Sequence, residues 1–365
     1  MDIHSKIILT VTTDLNYDQR MIRICTSLAG AGYEVEIVGI EFPHSDPLTS
    51  RPYRQTRLRI PMRQGKAMYL LYWWKLFWYL FRQKAEAFCA IDLDTILPVY
   101  LISLLKKKKR VYDAHEIFTE MQEVNERPLI KKLWTWIGNF CIPKFKNGYT
   151  IGEAYAVFFR EKYNVHYQVV RNATIYKDFT PGERKRKYIL YQGAVNKGRA
   201  FEQLIPAMTM VDVPLLIIGK GNFTGQTREL IRQYQLEDKI KMLGYIKPDD
   251  LKAYTREAYI GITLFDAQNN GLSNRLSMAN RYFDYMHSGV PQICCDYPEY
   301  RNVNEKWEIA YLIPDLNPET IAEGINYLLQ HPEVHQRMSA NALEASRTLC
   351  WQEEERTLLR FYENL

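Results

Sequence analysis

With 365 residues, 47% of them hydrophobic and 25% charged, the chain has material for two domains with separate cores, and disorder is excluded. The formal net charge of +6 is carried wholly by residues 1–175, where 25 Lys and Arg meet 17 Asp and Glu. No recognised nucleic-acid module accompanies that excess, so no nucleic-acid partner is expected. The six cysteines, Cys25, Cys89, Cys141, Cys294, Cys295 and Cys350, show no metal-ligand spacing and sit in apolar surroundings. Reduced core thiols in a cytoplasmic protein are expected rather than disulfides.

In chain order, residues 1–6 lead directly into an apolar strand, with nothing resembling a signal peptide. Short apolar runs at 6–12, 34–40, 57–60, 87–91, 110–113, 148–151 and 167–170 alternate with helix-period segments. A second set follows at 188–192, 214–218, 239–243, 260–264, 291–295 and 310–313. Such alternation predicts two parallel sheets covered by helices, an α/β protein whose ligands meet the carboxyl ends of the strands. Between the sets, Pro181-Gly182 and the run Glu183-Arg184-Lys185-Arg186-Lys187 read as a linker. The expected domains are therefore 1–178, joined by about 349–365, and 179–348.

In the first half, the loop Thr13-Asp14-Leu15-Asn16-Tyr17-Asp18-Gln19-Arg20 follows the opening strand. Asp18 reads equally as a helix cap or a substrate contact, with Arg20 turned outward toward the ligand. Residues 51–84 hold nine cations and no acid, interleaved with aromatics that include Trp73, Trp74 and Trp78. The composition suits docking on an anionic membrane surface, and equally a helix packed on the sheet beside a solvated basic loop. No segment is a convincing membrane span. Asp92 and Asp94 follow one strand and His115 and Glu116 another, where a histidine can share a proton or donate to a sugar. The spacing Asp92-Leu93-Asp94 lies in the wrong half for a donor metal site, and no metal or other cofactor is expected.

In the second half, Gly193-Ala194-Val195-Asn196-Lys197-Gly198-Arg199 ends a strand in a glycine turn with two cations, a cradle for a diphosphate. Gly219-Lys220-Gly221 and Leu243-Gly244-Tyr245 end the next two strands. They converge on Asn280-Arg281-Tyr282-Phe283-Asp284-Tyr285-Met286-His287-Ser288-Gly289-Val290-Pro291. This stretch reads as a helix whose amino end can hold a phosphate and whose carboxylate, Asp284, can reach ribose hydroxyls. Lys197, Lys220 and Arg199 also fit plain surface charge.

That stretch resembles the donor-binding segment of family 4 glycosyltransferases, whose nearest branch reads approximately Asn-Lys-Leu-Phe-Glu-Tyr-Met, two small residues and Gly-x-Pro. The resemblance covers nearly the whole chain and is densest over 188–314. It implies the GT-B fold, two facing Rossmann-like domains with a last helix that crosses back to the first. It also implies retaining, hexosyltransferase-like transfer from a nucleotide-diphosphate sugar to a glycan or lipid-linked acceptor, in the synthesis of cell-surface polysaccharides or glycoconjugates. Arg199 takes the place of the diphosphate-binding lysine and Asp284 that of the ribose-binding glutamate, while Tyr245 lies near the base. Gly193, Lys197, Gly219, Lys220, Asn274 and Asn280 complete the expected donor site. His115 becomes a catalytic contact to the transferred sugar, with Asn16, Asp18, Arg20 and Glu116 as acceptor or sugar contacts.

Two departures stand out. Many members carry an arginine directly after the first glycine, where this chain has Ala194, and their first glutamate falls at Leu276. Asn269, Asn270, Ser273 or Asn274 are the neutral substitutes for the latter. A nucleotide-sugar epimerase of the same architecture and a non-catalytic sugar-nucleotide-binding protein are the rival readings. A dehydrogenase is weaker still, since no Gly-x-Gly-x-x-Gly follows either first strand. The expected location is cytoplasmic, peripheral on the membrane face if the basic aromatic region docks there.

Overall fold

The computed structural model describes the whole chain except residues 3, 63–64, 183–187 and 268–270 and the side chains of 122 and 123. The run 183–187, expected in the linker, and Asn269 and Asn270 thus lie outside the described residues. The chain divides into Met1–Asn172 with Glu354–Leu365, and Ala173–Glu353.

The first unit is built on seven strands: β1 (Lys6–Thr10), β2 (Glu34–Glu41), β3 (Arg54–Arg59), β4 (Ala87–Ile91), β5 (Lys109–Ala114), β6 (Asn147–Thr150) and β7 (Gln168–Val169). All neighbours are parallel, in the order β3-β2-β1-β4-β5-β6-β7. Both faces of a parallel sheet are covered, so its inner strands read as unbroken apolar runs; every residue of β4 is buried. At the edge, β3 starts at Arg54, three residues ahead of the expected 57, because Arg54 already pairs with Glu36. The strand order reverses direction between β1 and β4, which opens a crevice at their carboxyl ends.

The second unit repeats the plan with β8 (Ile189–Gln192), β9 (Leu215–Ile218), β10 (Ile240–Gly244), β11 (Ile260–Thr263), β12 (Gln292–Cys295) and β13 (Ala310–Ile313). Its order is β10-β9-β8-β11-β12-β13, again parallel. The reversal falls between β8 and β11. Aliphatic residues such as Ile189, Leu215, Ile217, Ile262 and Ile293 fill its core.

The boundary falls at Asn172/Ala173, six residues before the expected one, for a local reason. Thr174 donates to Asp284 and its carbonyl accepts from Trp351 N. Tyr176 exchanges two hydrogen bonds with the side chain of Gln352. The closing helix Trp351–Glu363 begins in the second unit and from Glu354 belongs to the first. There Tyr362 is fully buried, and Phe361 meets Tyr149 edge-on at 5.2 Å. All six cysteines are buried and unpaired. Among the described residues no helix is long and apolar enough to cross a membrane.

Candidate functional site

At the carboxyl end of the second sheet, β8 runs into Gly193, whose φ of +126° favours glycine. β9 ends at Gly219 with φ +146°, and a Cβ there would stand 1.8 Å from the carbonyl oxygen of Gly193, so only glycine fits. Backbone bonds stitch the exits together: Gly193 N to Ile218 O at 2.9 Å, Val195 N to Lys220 O at 3.2 Å and Gly219 N to Gly244 O at 2.7 Å. A cavity of about 280 Å³ opens here, lined by Gly219, Lys220, Gly221, Thr224, Arg228, Met242 and Gly244. Thr224 and Arg228 lie outside the sequence motifs.

Arg199 donates to Asn274 Oδ1 at 3.4 Å and lies 4.4 Å over the ring of Phe265, just past β11. Asn280 opens the helix Asn280–His287. One turn on, Asp284 accepts from Thr174 Oγ1 at 2.7 Å and from Gln192 Nε2 at 3.0 Å. That carboxylate is therefore tied to the end of β8 and is a protein partner in its own right. Lys197 and Tyr245 are exposed on the same loops. The backbone N–H of Lys197 donates to Asn222, which staples the β8 turn to the β9 turn.

At the reversal of the first sheet, four side chains meet. Asp92, held at φ +54°, accepts from the backbone N–H groups of His115 and Glu116 at 3.0 and 2.9 Å. Its other oxygen lies 2.9 Å from His115 Nε2. Thr12 donates to Asp94, whose carboxyl is pushed up to about 7 by burial and by the charge of Asp92. Burial disfavours the imidazolium of His115, yet the carboxylates of Asp92 and Asp113 outweigh it and raise its pKa to about 10. At neutral pH His115 is thus a charged donor and not a proton acceptor. Its Nδ1 is buried without a hydrogen-bond partner.

Three other expectations in this unit change. Arg20, expected to turn toward a ligand, is 3% exposed and donates through Nε and Nη2 to Asp113, with Nη1 on the carbonyl of Val170. Asp18 caps the helix Gln19–Gly30 by accepting from Met21 N at 3.1 Å. Asn16 ties down a neighbouring loop through Asp46 O, Pro47 O and Thr49 N. Glu116 is half-buried and reaches the cluster through its backbone.

Comparison with solved structures fixes the architecture. The chain superposes on sucrose-phosphate synthase from Thermosynechococcus elongatus with a TM-score of 0.84 at 16% identity, covering 99% of this chain and 98% of that one. The chain has the GT-B fold. A glycosyltransferase from Rickettsia africae gives 0.74 at 12% identity, covering 99% of this chain and 98% of that one. Anabaena Alr3699/HepE in complex with UDP-glucose gives 0.76 at 13%, covering 99% and 100%. Residues 174–345 match the model of glycosyl transferases group 1. No curated protein matches the sequence.

Within this GT-B chain the sequence motifs passed over Arg281. It is 7% exposed on the helix Asn280–His287 and donates to Leu264 O at 3.2 Å and, more weakly, to Tyr191 Oη at 3.4 Å. Its position inside the motif Asn280-Arg281-Tyr282-Phe283-Asp284 was the available signal. A charged residue between aromatics that face a sheet has to be buried.

Proposed function

We propose that this chain is a retaining glycosyltransferase of the family 4 branch, moving a sugar from a nucleotide-diphosphate donor to a glycan or lipid-linked acceptor in cell-surface glycoconjugate synthesis. One observation carries the reading: three interlocked glycine exits, Arg199 and the start of the helix Asn280–His287 share the carboxyl end of one sheet. They do so within the segment matching glycosyl transferases group 1. Backbone N–H groups and a guanidinium there suit a diphosphate, and Asp284 suits a ribose. In the proposed reaction the bond from the sugar's anomeric carbon to the diphosphate oxygen breaks. The acceptor oxygen bonds that carbon from the same face, and its proton passes to the departing phosphate. Arg199 stabilises the charge that grows on the leaving group. His115 serves as a charged donor to a sugar hydroxyl.

The Anabaena neighbour is described with UDP-glucose, so UDP and its sugars head the calorimetric panel, followed by GDP and ADP. One nucleoside diphosphate and its sugar should bind, and the anomeric configuration of the product, read by NMR, should match that of the donor. Binding of none of them by well-folded protein overturns the reading. Conversion of the donor sugar without any acceptor selects the epimerase, and binding without turnover over a broad acceptor panel selects a non-catalytic binder.

A second observation bears on location. The helices Lys66–Arg82, Leu93–Leu105 and Pro128–Cys141 pack in sequence. Each exposes large apolar side chains, among them Trp74 at 61%, Trp78 at 41% and Trp136 at 62%. A groove of about 460 Å³ beside Trp74 and Trp78 is lined by Arg57, Arg59, Lys75 and Arg82. We propose peripheral docking of this face on an anionic bilayer, with the tryptophans at the headgroup boundary. Vesicles of phosphatidylglycerol and phosphatidylcholine should sediment the protein at low salt and release it at high salt. Trp74→Ser with Trp78→Ser should weaken that binding. Indifference of the wild type to such vesicles at low salt removes the membrane from the proposal.

A further inference from the structure

Arg281 is a guanidinium taken out of water with no carboxylate paired to it among the described residues. Burying a charge costs several kcal/mol unless an opposite charge or full hydrogen bonding compensates. Here the compensation is partial. One carbonyl and one distant hydroxyl accept from it, while Nε is buried without an acceptor. The faces of Tyr191 and Phe265 lie 4.6 and 4.8 Å from its central carbon. Asp284, one turn along the same helix, accepts instead from Thr174 and Gln192.

The cation also has a direction. A Cβ on Gly193 would stand 3.4 Å from Nη1, so the bare turn after β8 is all that lies over that end of the guanidinium. Arg199 rests on the same Phe265 ring at 4.4 Å. Two guanidinium groups thus flank one aromatic ring below a glycine turn, an arrangement that asks for an anion with two charged groups. We infer that Arg281 is a second diphosphate-binding residue of the nucleotide-sugar site, supplying from beneath the turn a charge that the exposed neighbour Ala194 does not supply from above it. This rests on the function proposed above.

The test compares wild type with Arg281→Met, whose side chain keeps length and loses charge. Probes are the nucleoside diphosphate that the wild type binds, the matching nucleoside, and inorganic pyrophosphate. Arg281→Met should lose at least tenfold in affinity for the diphosphate and for pyrophosphate, with nucleoside binding within twofold of wild type. Adding Ala194→Arg to Arg281→Met should recover most of the loss, which a packing role does not allow. Equal loss for nucleoside and diphosphate, or diphosphate binding within twofold of wild type, overturns the inference. Should Arg281→Met not fold, Arg281→Lys keeps the charge without the planar stacking and should retain pyrophosphate binding; its loss there overturns the inference equally. The pyrophosphate arm separates the two proposals. If pyrophosphate raises the melting temperature of wild type but not of Arg281→Met while no nucleotide binds, the anion site stands and the nucleotide-sugar reading falls. If pyrophosphate has no effect on wild type, the anion site falls.

Discussion

His115 shows how a residue in its expected place acquires a different chemistry from its neighbours. Sequence marked it as a strand-end histidine able to share a proton, but Asp92 fixes its charge. Its pKa of about 10 exceeds the unfolded value, so the stabilisation from the pair is complete below pH of about 6.5 and is lost as pH rises through 10. Asp94 acts in the same sense, since its raised carboxyl makes the fold less stable as pH climbs through about 7. The first unit should therefore melt at progressively lower temperature from pH 5 to pH 10, and Asp94→Asn should flatten the early part of that curve. By NMR, His115 should remain protonated at pH 8, and Asp92→Asn should bring its titration down to or below the usual histidine range. A second outcome concerns Arg20, whose burial no local pattern announced because its partner Asp113 is 93 residues away. Arg20→Met or Asp113→Asn should each cost about 3–5 kcal/mol in urea unfolding, and the double variant less than the two together. Asp284 and the glycines were legible as residues. The partners Thr174 and Gln192, and the buried guanidinium of Arg281, were not, because each depends on chain far away in sequence.

At the level of elements the strands were readable throughout. Parallel strands covered on both faces leave an apolar signature that needs no partner to interpret. The helix Lys66–Arg82 gave no such direction. It is apolar around most of its circumference, and only packing shows that Met68, Tyr72, Leu76 and Leu80 turn inward while Trp74 and Trp78 turn outward. The turns after the strands permit a sharper test. Gly219→Ala places a methyl group 1.8 Å from the Gly193 carbonyl, forces the β8 and β9 exits apart, and should abolish nucleotide binding in calorimetry. Gly225→Ala, in the helix Thr224–Gln233 with nothing within 4 Å, should preserve binding and stabilise the protein by about 0.4–1 kcal/mol.

For the whole molecule, the two-sheet plan followed from the alternation of strands and helices, whereas the return of the last helix came only from the family resemblance. Periodicity says that 351–363 is a helix but not which core it serves. Its buried face, Leu358, Phe361 and Tyr362, completes the first unit. A chain ending after Glu353 should lose hydrogen-exchange protection in β6, which carries Tyr149, while β8 to β13 keep theirs. The cost should reach several kcal/mol, since removing a single buried aromatic side chain already costs about 3–5 kcal/mol. The same discontinuity sets an order of events during synthesis. Domains tend to fold as they emerge from the ribosome, amino-terminal first, but here all of Ala173–Glu353 is translated before the helix that closes the first unit. The second unit has its full sequence while the first still exposes the apolar surface awaiting Tyr362. The unit begun first is the last to be finished, and the interval between them is when this chain has most need of a chaperone.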